Sequence, residues 1–450
     1  MRGTARLSGT GLGARAGRGT LAAVAQVGAG QVLRLVSNIA LARLLFPEAF
    51  GMMAIALAVV TGLSMVSTFG LRASVVQSAR GDDPAFLDTI WSLQALRGLA
   101  LAAFVWMAAA PLARLYDVPM LAQILPVCGL GLLVAGLNPI SVLSAERHMR
   151  LWRLTAVQLL AQLGSLIAMA LLAWWLRSVW ALAAGAVIQP VLALILLRRH
   201  LPGHRGRFAI EREGAREILR LGKYLFVSSI ASYALLQSDR AILGAAIPLD
   251  LLGLYSISLA LASLPGTAIK AISSRVLFPL MRERHPADGP RARARVFAAR
   301  RAVAGAGLVG AALMALAGPG LIGLLYDARY AGAGGMVVLL AASAVPAIAT
   351  GGMLHAVLVR GDSLRFMGAN LALAAAQVAI MIPAALAWGI PGVALALFAA
   401  PVLAYPATSA ALARHASWDW RGDLGLMALG LTLASSVCTL HWERLAPLAP

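Results

Sequence analysis

The sequence predicts an all-α, polytopic membrane helix bundle, and three observations carry that prediction. Of 450 residues, 60% are hydrophobic and only 12% charged, with a mean hydropathy of +0.82; a soluble domain carries about 25% charged residues. Apolar segments of about 20 residues, long enough to cross a bilayer, recur along the whole chain. Finally, the 38 Lys and Arg residues fall unevenly around those segments, with 28 in loops on one side, five on the other and five inside the segments.

The segments run at roughly 20–42, 49–71, 89–111, 120–144, 154–176, 179–197, 224–247, 252–281, 302–325, 333–359, 366–388, 390–413 and 424–442. The preceding tail, MRGTARLSGTGLGARAGRG, carries four arginines and resembles the charged region of a signal peptide. The segment after it is too long for a signal core and contains Arg34 and Asn38, so it reads as a retained first span. The tail, the 145–153 turn and the 198–223 and 282–301 loops are basic. Their opposites carry Arg43, Arg114, Arg177 and Arg329 singly. Basic loops stay cytoplasmic, which places the N-terminus there in a multi-pass membrane protein. The 77–88 loop, with Asp82, Asp83 and Asp88, departs from the pattern, although acidic residues weigh little in this rule.

The basic 198–223 loop divides the chain after the sixth span. Its stretch Glu211–Lys223 has the spacing of an amphipathic helix on the membrane surface, with Ile218, Leu219 and Leu221 apolar and Arg212, Arg216 and Arg220 repeating. The expected organisation is a tail (1–19), a six-helix lobe (20–197), a linker (198–223), a second six-helix lobe (224–413) and an extra transmembrane segment (414–450). The halves echo each other. Asn38 is followed nine residues later by Pro47 and then Gly51, and Asp239 nine residues later by Pro248 and then Gly253. Many secondary transporters are built from such repeats, with the substrate path between them.

The in-span cations are Arg34, Arg97, Arg240, Lys270 and Arg275. A cation at the membrane centre costs at least roughly 2.5–3.5 kcal/mol, so each calls for a reason. Arg34 shares a helix face with Gln31 and Asn38, and Asp239 beside Arg240 is the one acid well inside a span. Gln158 and Gln162 share a face of the fifth span, as Asn370 and Gln377 do in the eleventh. Any one of the cations is equally explained by snorkelling or by a helix-packing contact. As a set, with five cations against one acid, they predict a hydrated interior suited to phosphate, pyrophosphate or uronic acid. Arg34, Asn38, Arg97, Arg240, Lys270 and Arg275 are the expected substrate-binding residues. Asp239 is the candidate ion-coupling residue, paired with Arg240 or Lys270.

Other motifs are weaker. Gly305, Gly307 and Gly310 match a dinucleotide-binding pattern but lie inside an apolar span with no strand before them, so helix packing is the expected role. There is no Walker A sequence, and His355 is a lone histidine within a span. Cys128 and Cys438 have neither metal-ligand nor disulfide spacing. No cofactor is expected. The net charge of +20 sits in juxtamembrane loops without interleaved aromatics, which points to anionic phospholipid headgroups and not to nucleic acid.

Several runs resemble a known family. NIALARLLFPEAFGMMAIALAVV and FGLRASVVQS are similar to the opening of bacterial O-antigen and exopolysaccharide flippases. SDRAILGAAIPLDLLGLYSISLALASLPG, VLFPLMRER, LLYDARYAGAG and GIPGVALAL are similar to later parts of the same proteins. These are Wzx-like members of the multidrug/oligosaccharidyl-lipid/polysaccharide exporter superfamily, and the resemblance covers roughly residues 20–415. It implies two six-helix lobes around a central cavity, with one extra C-terminal helix where longer relatives carry two. It also implies transfer of an undecaprenyl-pyrophosphate-linked oligosaccharide between leaflets by alternating access. A polysaccharide polymerase and a chain-length regulator are the implied protein partners. The competing readings are an ion-coupled small-molecule exporter, which calls for acidic cavity residues, and a membrane-embedded polymerase or ligase, which calls for a large outer loop.

Overall fold

The computed structural model describes residues 12–448, apart from 68–70, 72–74, 76–77, 79 and 149–150. Arg72, Arg150 and most of the Gly/Arg tail therefore lie outside the described residues. The N-terminal half contains α1 (Leu12–Leu44), α2 (Pro47–Val66), α3 (Pro84–Leu115), α4 (Leu121–Gly136), α5 (Ser141–Arg147), α6 (Leu151–Leu176) and α7 (Trp180–His200). The C-terminal half opens with α8 (Arg212–Ala246), α9 (Leu249–Ala262), α10 (Leu264–Ile272), α11 (Phe278–Glu283) and α12 (Pro290–Leu325). It continues through α13 (Ala333–Ser343), α14 (Val345–Thr350), α15 (Leu354–Val359), α16 (Ser363–Trp388), α17 (Ile390–Leu403) and α18 (Tyr405–Ala413). Helices α19 (Trp420–Leu440) and α20 (Trp442–Leu445) complete it. Among the described residues there is no strand.

Ten helical stretches are long and apolar enough to cross a membrane, and the pair α4–α5, bent by 61°, passes as an eleventh. Helices α1 and α8 are long enough, at 33 and 35 residues, but are not among the ten. They carry Gln31, Arg34 and Asn38, and Gln237 to Arg240, respectively. Both helices coincide with spans read from the sequence, and the polar residues of α8 lower its hydropathy. Adding them to the others recovers every segment read from the sequence.

Three spans of the C-terminal half are broken, and a proline opens the piece after the first break in each: Pro265 for α10, Pro346 for α14 and Pro406 for α18. Proline is tolerated in a first turn but removes a hydrogen bond from a helix interior. A π turn at Ser273–Leu277 adds a second break, around Arg275.

The linker differs from expectation. Residues 212–246 form one continuous helix, so Glu211–Lys223 is not a separate surface helix but the opening of the seventh span. Ile218 is 1% exposed and packs with Phe86, Leu87 and Ile90 of α3. Arg80 pairs with Asp83 at 2.6 Å and Glu211 at 2.7 Å, and His204 contacts Asp88 at 2.5 Å. The acidic loop that departed from the charge pattern therefore clasps the basic linker. Arg80, hydrogen-bonded to Asp83, holds that carboxyl below its ordinary range.

Helix α2 joins the halves, packing chiefly on α9 and α8 and less on its own lobe. The repeated Pro and Gly explain how. A Cβ on Gly51 would lie 2.0 Å from the Leu249 carbonyl oxygen, and one on Gly253 would lie 1.9 Å from that of Pro47. Each glycine admits the first turn of the opposite helix, so the echo is a reciprocal backbone contact. Around it, Tyr330 donates to Leu45 O at 2.9 Å, Arg43 to Leu325 O at 3.4 Å and Arg329 to Arg43 O at 3.3 Å. The lobes are tied at the cation-poor end. Gly51→Ala or Gly253→Ala is expected to destabilise the protein by about 1–3 kcal/mol through overpacking. Gly320→Ala, with open space around it, should be neutral or slightly stabilising in the same thermal unfolding series.

Candidate functional site: unpaired cations along the interlobe seam

The lobes meet along two lateral seams of unequal tightness. Helices α2, α8 and α9 pack closely, whereas α1 makes few contacts with α9. Between α1 and α10, Gln31 donates to Thr267 Oγ1 at 3.4 Å. Arg34, one turn beyond Gln31, is exposed and bonds its own helix at Gly30 O, 3.4 Å away. Gln162 of α6 donates to that same carbonyl at 3.2 Å. Asn38 follows Arg34 by four residues and is half-buried. Lys270, one turn beyond Thr267 on α10, is exposed, and Arg275 is half-buried in the π turn. Such turns occur often at functional sites.

Arg240 lies on a different part of the interface. On α8, Tyr233, Gln237, Arg240 and Gly244 recur at helical spacing, so they share one face. Tyr233 meets Gly62 of α2, and Gly244 meets Ile55 of α2 and Tyr116 at the end of α3. Arg240 therefore faces the N-terminal lobe, held by Gln237 Oε1 at 2.7 Å. The structure thus sets Arg34 and Lys270 one turn from the Gln31–Thr267 contact of the loose seam, with Asn38 and Arg275 further along the same two spans, and Arg240 at the tight seam. Arg97 is elsewhere, inside the N-terminal lobe, bonded to Ser67 Oγ at 2.9 Å and Ser64 O at 2.8 Å.

Among the described residues, none of these five cations has a carboxylate within 4.0 Å. By contrast, Arg80, Arg147, Arg300, Arg301, Arg329, Arg360 and Arg365, near the ends of the spans, are all paired with acids. The expected pairing of Asp239 with Arg240 or Lys270 is not formed. Side chains of adjacent helical residues diverge, and Asp239 points into the C-terminal lobe, where it is 6% exposed. The Tyr255 hydroxyl donates to its Oδ2 at 2.6 Å, while Oδ1 is buried with no partner. Beside it, the Gln377 amide of α16 donates to Ala234 O and to Ser238 Oγ, each at 3.3 Å.

The glycine run of α12 packs as expected: a Cβ on Gly307 would strike Ile269 of α10 at 2.7 Å. His355 stacks against Phe278 and Phe366 as a packing residue.

Sequence reading missed one polar centre. Arg300, counted there with the loop arginines, is inside α12, 1% exposed, and pairs with Asp423 at 2.5 Å. It also donates to Gly351 O at 3.3 Å and to Ala349 O, carbonyls freed where α14 ends at the break before α15. Arg301 pairs with Asp419 at 2.5 Å, and Asp419 caps α19 by accepting from Gly422 N at 3.2 Å. Tyr405 donates to Asp423 at 2.6 Å. This cluster fixes the extra helix, α19, to the second lobe. Asp419 and Asp423 opposite adjacent arginines were the available signal, hidden by sequence distance.

Comparison with solved structures shows the fold. The lipid II flippase MurJ in an inward closed conformation superposes with a TM-score of 0.71, at 13% identity, over 92% of each chain. An inward-facing multidrug resistance MATE family transporter of the MOP superfamily gives 0.65 at 13% identity, over 91% of this chain and 96% of that one. In sequence, 255 residues are 28% identical to the succinoglycan biosynthesis transport protein ExoT of Rhizobium meliloti (strain 1021). That match covers 55% of this chain, which spans half the length of the relative. The sequence profile described as polysaccharide biosynthesis protein matches residues 40–333. A match of that extent, on a helical membrane bundle of this topology, makes the chain a member of the polysaccharide biosynthesis protein family.

Proposed function

We propose that this protein is a flippase for undecaprenyl-pyrophosphate-linked oligosaccharides, working by alternating access in the bacterial inner membrane. The observation that carries this reading is the set of in-span cations without carboxylate partners. Unpaired cations in a bilayer are costly, and an anionic cargo entering between the lobes offsets that cost while it is bound. Arg34 and Lys270 flank the Gln31–Thr267 contact of the loose seam, where a pyrophosphate would reach them, and Arg275 further along the span, while the lipid tail remains in the bilayer. Arg240 and Asn38 extend the polar path between the lobes. The basic end is cytoplasmic on the positive-inside rule, so the ties at Gly51, Gly253 and Tyr330 close the periplasmic side. The family, together with the likeness to a flippase and to a transporter, supports transport over catalysis.

Asp239 is the proposed coupling group, because a buried carboxylate with a free oxygen is a ready place for a proton or small cation. Asp239→Asn is expected to slow transport while leaving cargo binding intact. The flippase reading is tested by reconstituting the protein in vesicles with a labelled pyrophosphoryl-linked oligosaccharide and measuring its movement between leaflets. Transfer that depends on Arg34 supports the reading. Equal transfer by Arg34→Ala and parent protein, or movement of a small organic cation alone, would sink it.

A further inference from the structure

We infer that the N-terminal lobe holds a second recognition pocket, apart from the interlobe seam, for an anionic group that also bears a hydroxyl or ammonium donor. A glycerophospholipid headgroup and an acidic sugar share that chemistry. The pocket has a volume of about 190 Å³, room for several waters. It is lined by N-terminal-lobe residues alone, from α2, α3, α4, α5 and the turn between the last two.

Its polar groups are incompletely used. The Arg97 Nε and Nη2 atoms bond Ser67 and Ser64, leaving Nη1 with no protein acceptor among the described residues. Gln94 spends its amide N–H groups on Gly136 O at 3.0 Å and Asn138 O at 3.1 Å. Asn138 Oδ1 is buried with no partner. A native structure seldom leaves a buried polar atom unmatched without a reason. One ligand satisfies both ends, its anion accepting from Arg97 and its donor serving Asn138. Leu101, Leu132 and Val142 form apolar walls that exclude water and strengthen the charged contact.

The geometry is built in. A Cβ on Gly98 of α3 would lie 2.9 Å from the Gly136 Cα of α4, and the reverse contact is equally close. The two backbones meet at the pocket wall, and Gln94 ties that wall to the turn carrying Asn138. Two helices and a turn are thus locked around one guanidinium. The lipid-headgroup outcome is independent of the flippase reading, whereas the acidic-sugar outcome rests on it.

The test uses full-length protein in a neutral detergent, titrated separately with phosphatidylglycerol and with glucuronate and read by native mass spectrometry. Arg97→Gln is expected to weaken one of the two probes by about tenfold or more, the worth of a charge-assisted hydrogen bond. Arg114→Gln, an exposed cation on the same helix, should leave that probe unchanged. Arg97-dependent phosphatidylglycerol binding that excess glucuronate does not displace identifies a lipid headgroup. Arg97-dependent glucuronate binding without a lipid effect identifies an acidic sugar. If Arg97→Gln fails to fold, Asn138→Leu decides, because it keeps the cation and removes the unmatched acceptor. Equal binding of both probes by parent, Arg97→Gln and Asn138→Leu overturns the assignment.

Discussion

A chain carrying Arg34→Gln and Lys270→Gln is expected to insert and fold at least as well as the parent while losing surface-polysaccharide assembly. The two signs follow from one cause. Neither residue has an acidic partner among the described residues, so removing the charges breaks no ion pair and spares roughly 2.5–3.5 kcal/mol each on insertion. A pyrophosphate cargo loses about 1.5–3 kcal/mol per charged hydrogen bond, so the double variant should bind it at least about a hundredfold more weakly. Cell-surface polysaccharide, protein abundance in the membrane and thermal unfolding in detergent are measured together. If the cations were packing residues, stability would fall with function. Stability that rises as function falls is the trade-off expected of a binding site.

Which features were legible in the sequence follows from the range of the interactions. The cost of a charge in an apolar segment is local, so Arg34, Arg240, Lys270 and Arg275 stood out without any knowledge of their neighbours. The doubled Pro and Gly were legible too, because a proline opening a helix and a glycine one turn later are local backbone demands. Their meaning was not, since the contact of Gly51 with Leu249 and of Gly253 with Pro47 joins opposite lobes. The pairing of Asp239 was not legible for a related reason: its partner lies on the next helix, at Tyr255, and chain adjacency to Arg240 points the two side chains apart. The stretch Glu211–Lys223 looked like a separate element, yet Gly222 alone does not break α8, and Ile218 is buried against α3 instead of facing a membrane surface.

The extra C-terminal helix depends on a buried charge pair, and breaking that pair should have the largest effect on stability of any single change. Asp423→Ala leaves Arg300, 1% exposed, with a guanidinium whose remaining partners are Gly351 O, Ala349 O and Asp419 at 3.8 Å. Removing one member of a buried pair costs about 3–5 kcal/mol, whereas replacing both by apolar residues of similar volume is often neutral. Arg300→Met combined with Asp423→Leu should therefore recover much of the loss from Asp423→Ala. Full recovery is not expected, because Arg300 also caps the carbonyls at the end of α14, and Tyr405 loses its acceptor. Equilibrium unfolding of the parent, Arg300→Met, Asp423→Leu and the double variant forms a cycle that isolates the pair from these other contacts. Limited proteolysis near Trp418 locates the damage: early cleavage in Asp423→Ala marks release of α19 from the second lobe. If both single variants unfold like the parent, the cluster is not what holds this helix, and its attachment must rest on the apolar contacts of Leu426 and Gly430 with Leu308 and Val345.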